Sequence, residues 1–128
     1  MLLQFGMGFN FNIMVVFENE KWKVIEFIEP SDVNPYIKGN CNFTDPDTYN
    51  VQMYDFYRKE SPIYLIDDKS KEGSFIMFST GAKNYMDKDN RNVDFPKYIN
   101  DNKDLGEILL KNCEKDSILI DLLKGLQL

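Results

Sequence analysis

The chain has 128 residues, 43% hydrophobic and 14% aromatic, enough for one core and too few for two independent ones. Its 15 Lys and Arg against 21 Asp and Glu leave a formal charge of −6, a field that repels phosphate backbones and argues against direct nucleic-acid binding. It contains no histidine, which removes Ser-His-Asp and Cys-His catalysis, imidazole acid–base chemistry at neutral pH and imidazole metal sites together.

In chain order, the opening "MLLQFGMGFNFNIMVVF" is uncharged, but it lacks a basic start and a small-residue cleavage site, and Gln4, Asn10 and Asn12 interrupt it. It therefore reads as strand, with no signal peptide or membrane span expected. Residues 11–17 and 22–28, "FNIMVVF" and "WKVIEFI", flank the polar "ENEK" and predict an antiparallel hairpin. Trp22, Val24, Glu26 and Ile28 share one face, and Lys23, Ile25 and Phe27 the other. Apolar residues on both faces place this pair inside a sheet.

"EPSDVNPYIKG" follows as a turn-rich connector, in which Pro30 and Ser31 can start a short helix. In "TDPDTYNVQMYDFYRK", Asp45 as N-cap and Pro46 at the first helical position favour a helix over a strand. Residues 62–67, "PIYLID", and 74–79, "SFIMFS", bracket "DKSKEG" and predict a second hairpin with Gly73 in its turn. Residues 84–95, "NYMDKDNRNVDF", read as a surface turn after that hairpin, with Asp94 capping a helix that Pro96 opens. From there the pattern is helical, through "PKYINDN", "LGEILLKN" and "DSILIDLLKGL". In the last stretch Leu119, Leu122, Leu123 and Leu126 form an apolar stripe, and Asp116 or Ser117 is the cap. The expected fold is α+β, one domain over residues 1–128, a mostly antiparallel sheet from two hairpins with C-terminal helices packed on it.

Cys41 and Cys113 are far apart and lack the spacing of a zinc or redox pair, which fits a reducing, cytoplasmic setting. No phosphate-cradling glycine motif occurs, and no cofactor is expected. Carboxylates remain. Asp87, Asp89 and Arg91 fall at the first, third and fifth places of a calcium loop, but Asn92 and Tyr98 stand where glycine and a bidentate Glu belong. A looser magnesium site on Asp87, Asp89 and Asp94 is the enzymatic alternative. The competing reading makes these acids turn formers. Asp67, Asp68 and Glu72, together with Asp87 and Asp89, are the candidate acidic contact surface, and Tyr54 and Tyr57 the candidate aromatic contacts.

The segments "VFENEKWKVIEFIEPSDVNPYIKGN", "TDPDTYNVQMYDFYRKESPIYLIDDK" and "NYMDKDNRNVDF" resemble an uncharacterised domain of phage and mobile-element proteins. That domain carries a Gly-Thr-x-Trp-Cys-Thr turn, a PLYVI strand and a QFMDxxDxxV end, and the resemblance covers about residues 16–99. Here "KGNCNFT" replaces the Trp-Cys turn. The resemblance implies provenance and transfers no catalytic residue.

The expectation is a non-enzymatic protein-binding module, an anti-CRISPR-like phage inhibitor of a host defence or nucleic-acid-processing protein. Its partner would be a host protein, for which a basic surface is the complementary case, with no membrane or direct nucleic-acid ligand. A magnesium-dependent enzyme, a toxin-immunity protein and a virion assembly component joined through the leucine stripe are the alternatives. The sequence leaves the oligomeric state open.

Overall fold

The computed structural model describes residues 14–27, 58–89 and 91–126. Among these residues, five strands, β1 (Met14–Glu18), β2 (Trp22–Phe27), β3 (Ile63–Asp68), β4 (Phe75–Ser79) and β5 (Asn84–Asp87), precede three helices, α1 (Phe95–Asn100), α2 (Lys103–Asn112) and α3 (Ser117–Gly125). The strands form one sheet in the order β1-β2-β3-β4-β5, every neighbouring pair antiparallel. This is an α+β fold, with the helices on one face of an antiparallel sheet.

Both expected hairpins form. In the first, Asn19 Oδ1 accepts from the backbone N–H groups of Lys21 and Trp22 at 2.9 and 2.7 Å, so the side chain itself closes the turn. Its two strands differ in burial, however. β2 is interior, but β1 is the outermost of the described strands, with Met14 and Val15 43% and 50% exposed, and a bulge between Val15 and Phe17 shifts its register. In the second hairpin, Asp68 Oδ1 accepts from Ser70 N and Ser70 Oγ at 3.0 and 2.5 Å, and Gly73 takes φ +71°, a left-handed conformation that costs glycine least.

Alternation along the strands sorts the core. Trp22, Val24, Tyr64, Ile66, Ile76 and Phe78 face the helices and pack with Phe95, Ile99, Leu105, Leu109, Leu119 and Leu123. Ile25, Phe27, Ile63, Leu65 and Met77, on the other face, are buried too. The Trp22 indole N–H donates to Asp104 Oδ2 at 2.8 Å and ties α2 to the sheet. The expected stripe on α3 has Leu119 and Leu123 buried, Leu122 and Leu126 partly buried against the same core, and Asp121 and Lys124 exposed.

A second expectation, after that of a wholly interior first hairpin, is also corrected. Residues 84–95 are not all turn, because Asn84–Asp87 form a fifth strand on β4. The chain then doubles back, and Asp87 N donates to Arg91 O and Val93 N to Tyr85 O, both at 2.9 Å, so the outer edge of β5 is itself paired. Tyr85 stacks on both Phe78 and Phe95, at centroid distances of 5.8 and 4.7 Å, and the cross-strand contact with Phe78 favours the strand over a free turn. The helix expected around Asp45 and the connector after Pro30 lie outside the described residues.

Candidate functional site

At the end of the sheet that carries the β3–β4 turn, a groove of about 330 Å³ lies between that turn, the β5–α1 connection and α1. Phe75, Ile76, Val93 and Tyr98 supply its apolar lining, and Glu72, Asp87 and Asp89 outnumber Lys88 among its charged groups. Thus the fold brings Glu72 from one turn together with Asp87 and Asp89 from another.

Local chemistry shapes each wall. Asp87 Oδ1 accepts from the backbone N–H of Asp89 at 2.9 Å and of Arg91 at 3.0 Å, which folds the connection back on β5. Asp89 is exposed and meets Lys88 Nζ at 3.3 Å, an ion pair between two half-exposed groups that contributes little stability. Tyr98 is half-buried, edge-on to Trp22 at 6.5 Å, and burial, with Asp68 and Asp67 nearby, pushes its hydroxyl up to about 12. It remains a neutral donor over the physiological range.

The remaining candidates sit elsewhere. Asp68 is buried, with its carboxylate engaged in the hairpin turn. Asp67 projects from the opposite face of β3, opposite Lys23 in register, and burial raises its carboxyl above the usual range. Asp94 caps α1, its Oδ1 accepting from Lys97 N at 3.2 Å. Tyr54 and Tyr57 lie outside the described residues. Asp87 and Asp94 therefore each aim an oxygen at backbone N–H groups, and among the described residues no three His, Cys, Asp or Glu side chains are grouped to hold a metal ion.

A second polar centre lies at the other end of the sheet, under the α2–α3 turn, and sequence reasoning did not find it. Glu26, Tyr64, Cys113 and Asp116 are all buried there. Lys115 Nζ lies 2.7 Å from Glu26 Oε1, an ion pair that ties the α2–α3 turn to the sheet, and Asp116 Oδ2 has no hydrogen-bond partner among the described residues. Burial pushes the Cys113 thiol up to about 11, which keeps it protonated and a poor nucleophile. Glu26 stood on the correct face of its strand in the sequence, and its burial was the readable signal; its pairing with Lys115, 89 residues on, was not.

No protein-family model, curated protein or solved structure matches the chain. Among the described residues, no helix is long and apolar enough to cross a membrane.

Proposed function

We propose that this protein is a non-enzymatic binding module that takes a basic side chain of a protein partner into the groove between Glu72, Asp87, Asp89 and Tyr98. The observation that carries the reading is the combination of acidic rim and apolar lining in one concavity. A guanidinium or ammonium placed there meets carboxylates while its methylene stem covers Phe75 and Val93, and Tyr98 offers a ring face beside it. The formal charge of −6 adds long-range attraction for a basic partner.

The resemblance to a domain of phage and mobile-element proteins supports a more specific role, inhibition of a host defence or nucleic-acid-processing protein in the host cytoplasm. Such proteins present basic surfaces to nucleic acid, and an acidic module would compete for them.

The test is capture from host lysate by wild type and by the Glu72→Lys/Asp89→Lys variant, at low and at physiological salt. The expected result is a partner with a basic binding face, retained by wild type and lost by the charge-reversed variant although both melt alike. Equal retention by the two would remove the groove from the interaction, and recovery of no partner at either salt would overturn the binding reading.

A further inference from the structure

The acidic groove already holds a cation of the chain itself. Lys88, at the start of the β5–α1 connection, lines it together with Asp89 and with Gly73 of the β3–β4 turn. Its Cδ lies 3.9 Å from where a Cβ would stand on Gly73, so the methylene stem spans the gap between the two turns. Gly73, held at φ +71°, carries no side chain and leaves that gap open. The ammonium ends 3.3 Å from each carboxylate oxygen of Asp89.

This occupancy is weak. Lys88 and Asp89 are 53% and 51% exposed, and an ion pair between such groups is screened by water and opposed by side-chain entropy. A partner's lysine would only exchange one such contact for another, after losing the strong hydration of its ammonium. A guanidinium brings what Lys88 lacks. It is planar, more weakly hydrated and carries five donors, so it can donate to acids of both turns, Glu72 and Asp89, and lie flat on the ring of Tyr98.

We propose that the groove is an arginine site, with Lys88 as the resident occupant that an incoming guanidinium displaces. The assignment rests on the groove being the partner's binding site, and adds the chemistry of the partner residue and the control of its entry. Displacement needs only rotation about the side-chain bonds of Lys88, half of which is already in solvent. The guanidinium then takes the place of the ammonium, and the arginine stem replaces the lysine stem beside Gly73. Lys88 thereby sets a threshold: the internal lysine matches a partner's lysine and yields to a partner's arginine.

The full chain is titrated with acetyl-Gly-Arg-Gly-amide and acetyl-Gly-Lys-Gly-amide at matched, low ionic strength, following backbone amide shifts. The arginine peptide should saturate with shifts at Gly73, Asp89 and Tyr98, and should bind about threefold more tightly than the lysine peptide, or better. Lys88→Gln should tighten the arginine peptide by about two- to fivefold, whereas Lys88→Arg, which keeps an occupant, should not tighten it. Lys71→Gln removes the same charge from the β3–β4 turn outside the groove lining, and should change the affinity less than Lys88→Gln does, which separates displacement from net charge. Equal affinity for the two peptides, tightening by Lys88→Arg, or a Lys88→Gln variant that binds like wild type or like Lys71→Gln would each overturn the assignment and leave the groove as a binding site. No saturation by either peptide up to about 50 mM, in wild type and Lys88→Gln alike, would overturn the groove reading along with it.

Discussion

Asp94 shows how much a single side chain does in this fold. Its carboxylate accepts from Lys97 N and terminates the connection that shapes the acidic groove. Asp94→Ala should cost about 0.5–2 kcal/mol in urea denaturation; Asp94→Asn or Asp94→Ser, which preserve an acceptor, should cost little. Asp116 does the same for α3, accepting from Leu119 N at 3.1 Å, but it is buried and its second oxygen has no hydrogen-bond partner among the described residues. Burial is the main cause that raises its carboxyl above the usual range, outweighing the hydrogen bonds from Leu119 and Ile118. An acid whose folded pKa is raised binds its proton more tightly in the folded state. Its unfavourable contribution is absent below the unfolded pKa and grows as pH rises through the raised folded one. Asp116→Asn keeps the capping oxygen and removes the charge, so the stability difference between variant and wild type should widen in the variant's favour from the normal carboxylate range into mildly acidic pH. Melting curves across that range check it; a constant difference would mean that Asp116 titrates normally. Glu18, held below its usual range first by the hydrogen bond from Lys69, has the opposite slope, which is why the comparison must be made with the variant.

Among the elements, the β4–β5 turn is held directly against the segment that precedes β3. Gly81 N donates to Ser61 Oγ at 2.7 Å, and Ser61 Oγ lies 3.2 Å from Ser79 Oγ. A Cβ at Gly81 would stand 2.8 Å from Glu60 Cβ and 3.1 Å from Ser61 N, and the second of these is backbone that cannot swing aside. Gly81→Ala should therefore destabilise by about 1–3 kcal/mol and perturb residues 58–62. The measurement is denaturation together with amide shifts at Ser61, and an unchanged midpoint would show that the 60–61 segment yields freely. Contacts of this kind also mark where the sequence stops being readable. The two hairpins and the three helices follow from local pattern, because strand alternation, turn residues and caps such as Asp94 and Asp116 all act within a few residues. β5 has only four residues, and its evidence is the stacking of Tyr85 on Phe78 and Phe95, a tertiary fact. The acidic groove was half legible. Its members were nameable as acids, but their meeting depends on two turns lying side by side, and Asp68, indistinguishable from Asp67 by sequence, turned out to be spent on closing one of them. The Glu26–Lys115 centre was not legible, since no local rule links a strand residue to a helix–helix turn.

For the molecule as a whole, charge acts in two directions that one variable separates. The exposed ion pairs Glu18–Lys69, Lys88–Asp89 and Lys97–Asp101 are solvent-screened and contribute little, whereas the formal charge of −6 opposes compaction everywhere. Raising sodium chloride from about 0.1 M to about 1 M shortens the screening length from about 10 Å to about 3 Å. Self-repulsion acts over the longer of these distances and is screened, while contacts near 3 Å lose less. The melting temperature should therefore rise with salt. Association with a basic partner should respond in the opposite sense, through a slower on-rate, because the acidic rim attracts it across solvent. Glu72→Gln/Asp89→Gln should flatten the salt dependence of association and leave that of melting almost unchanged, since two of 21 acids are removed from the sum but they are the two nearest the partner. Melting curves and stopped-flow association over the same salt series measure both. A melting temperature that falls with salt would mean that ion pairs, foremost Lys115 on buried Glu26, outweigh the net charge. An on-rate indifferent to salt would mean that the acidic groove is not where the partner arrives.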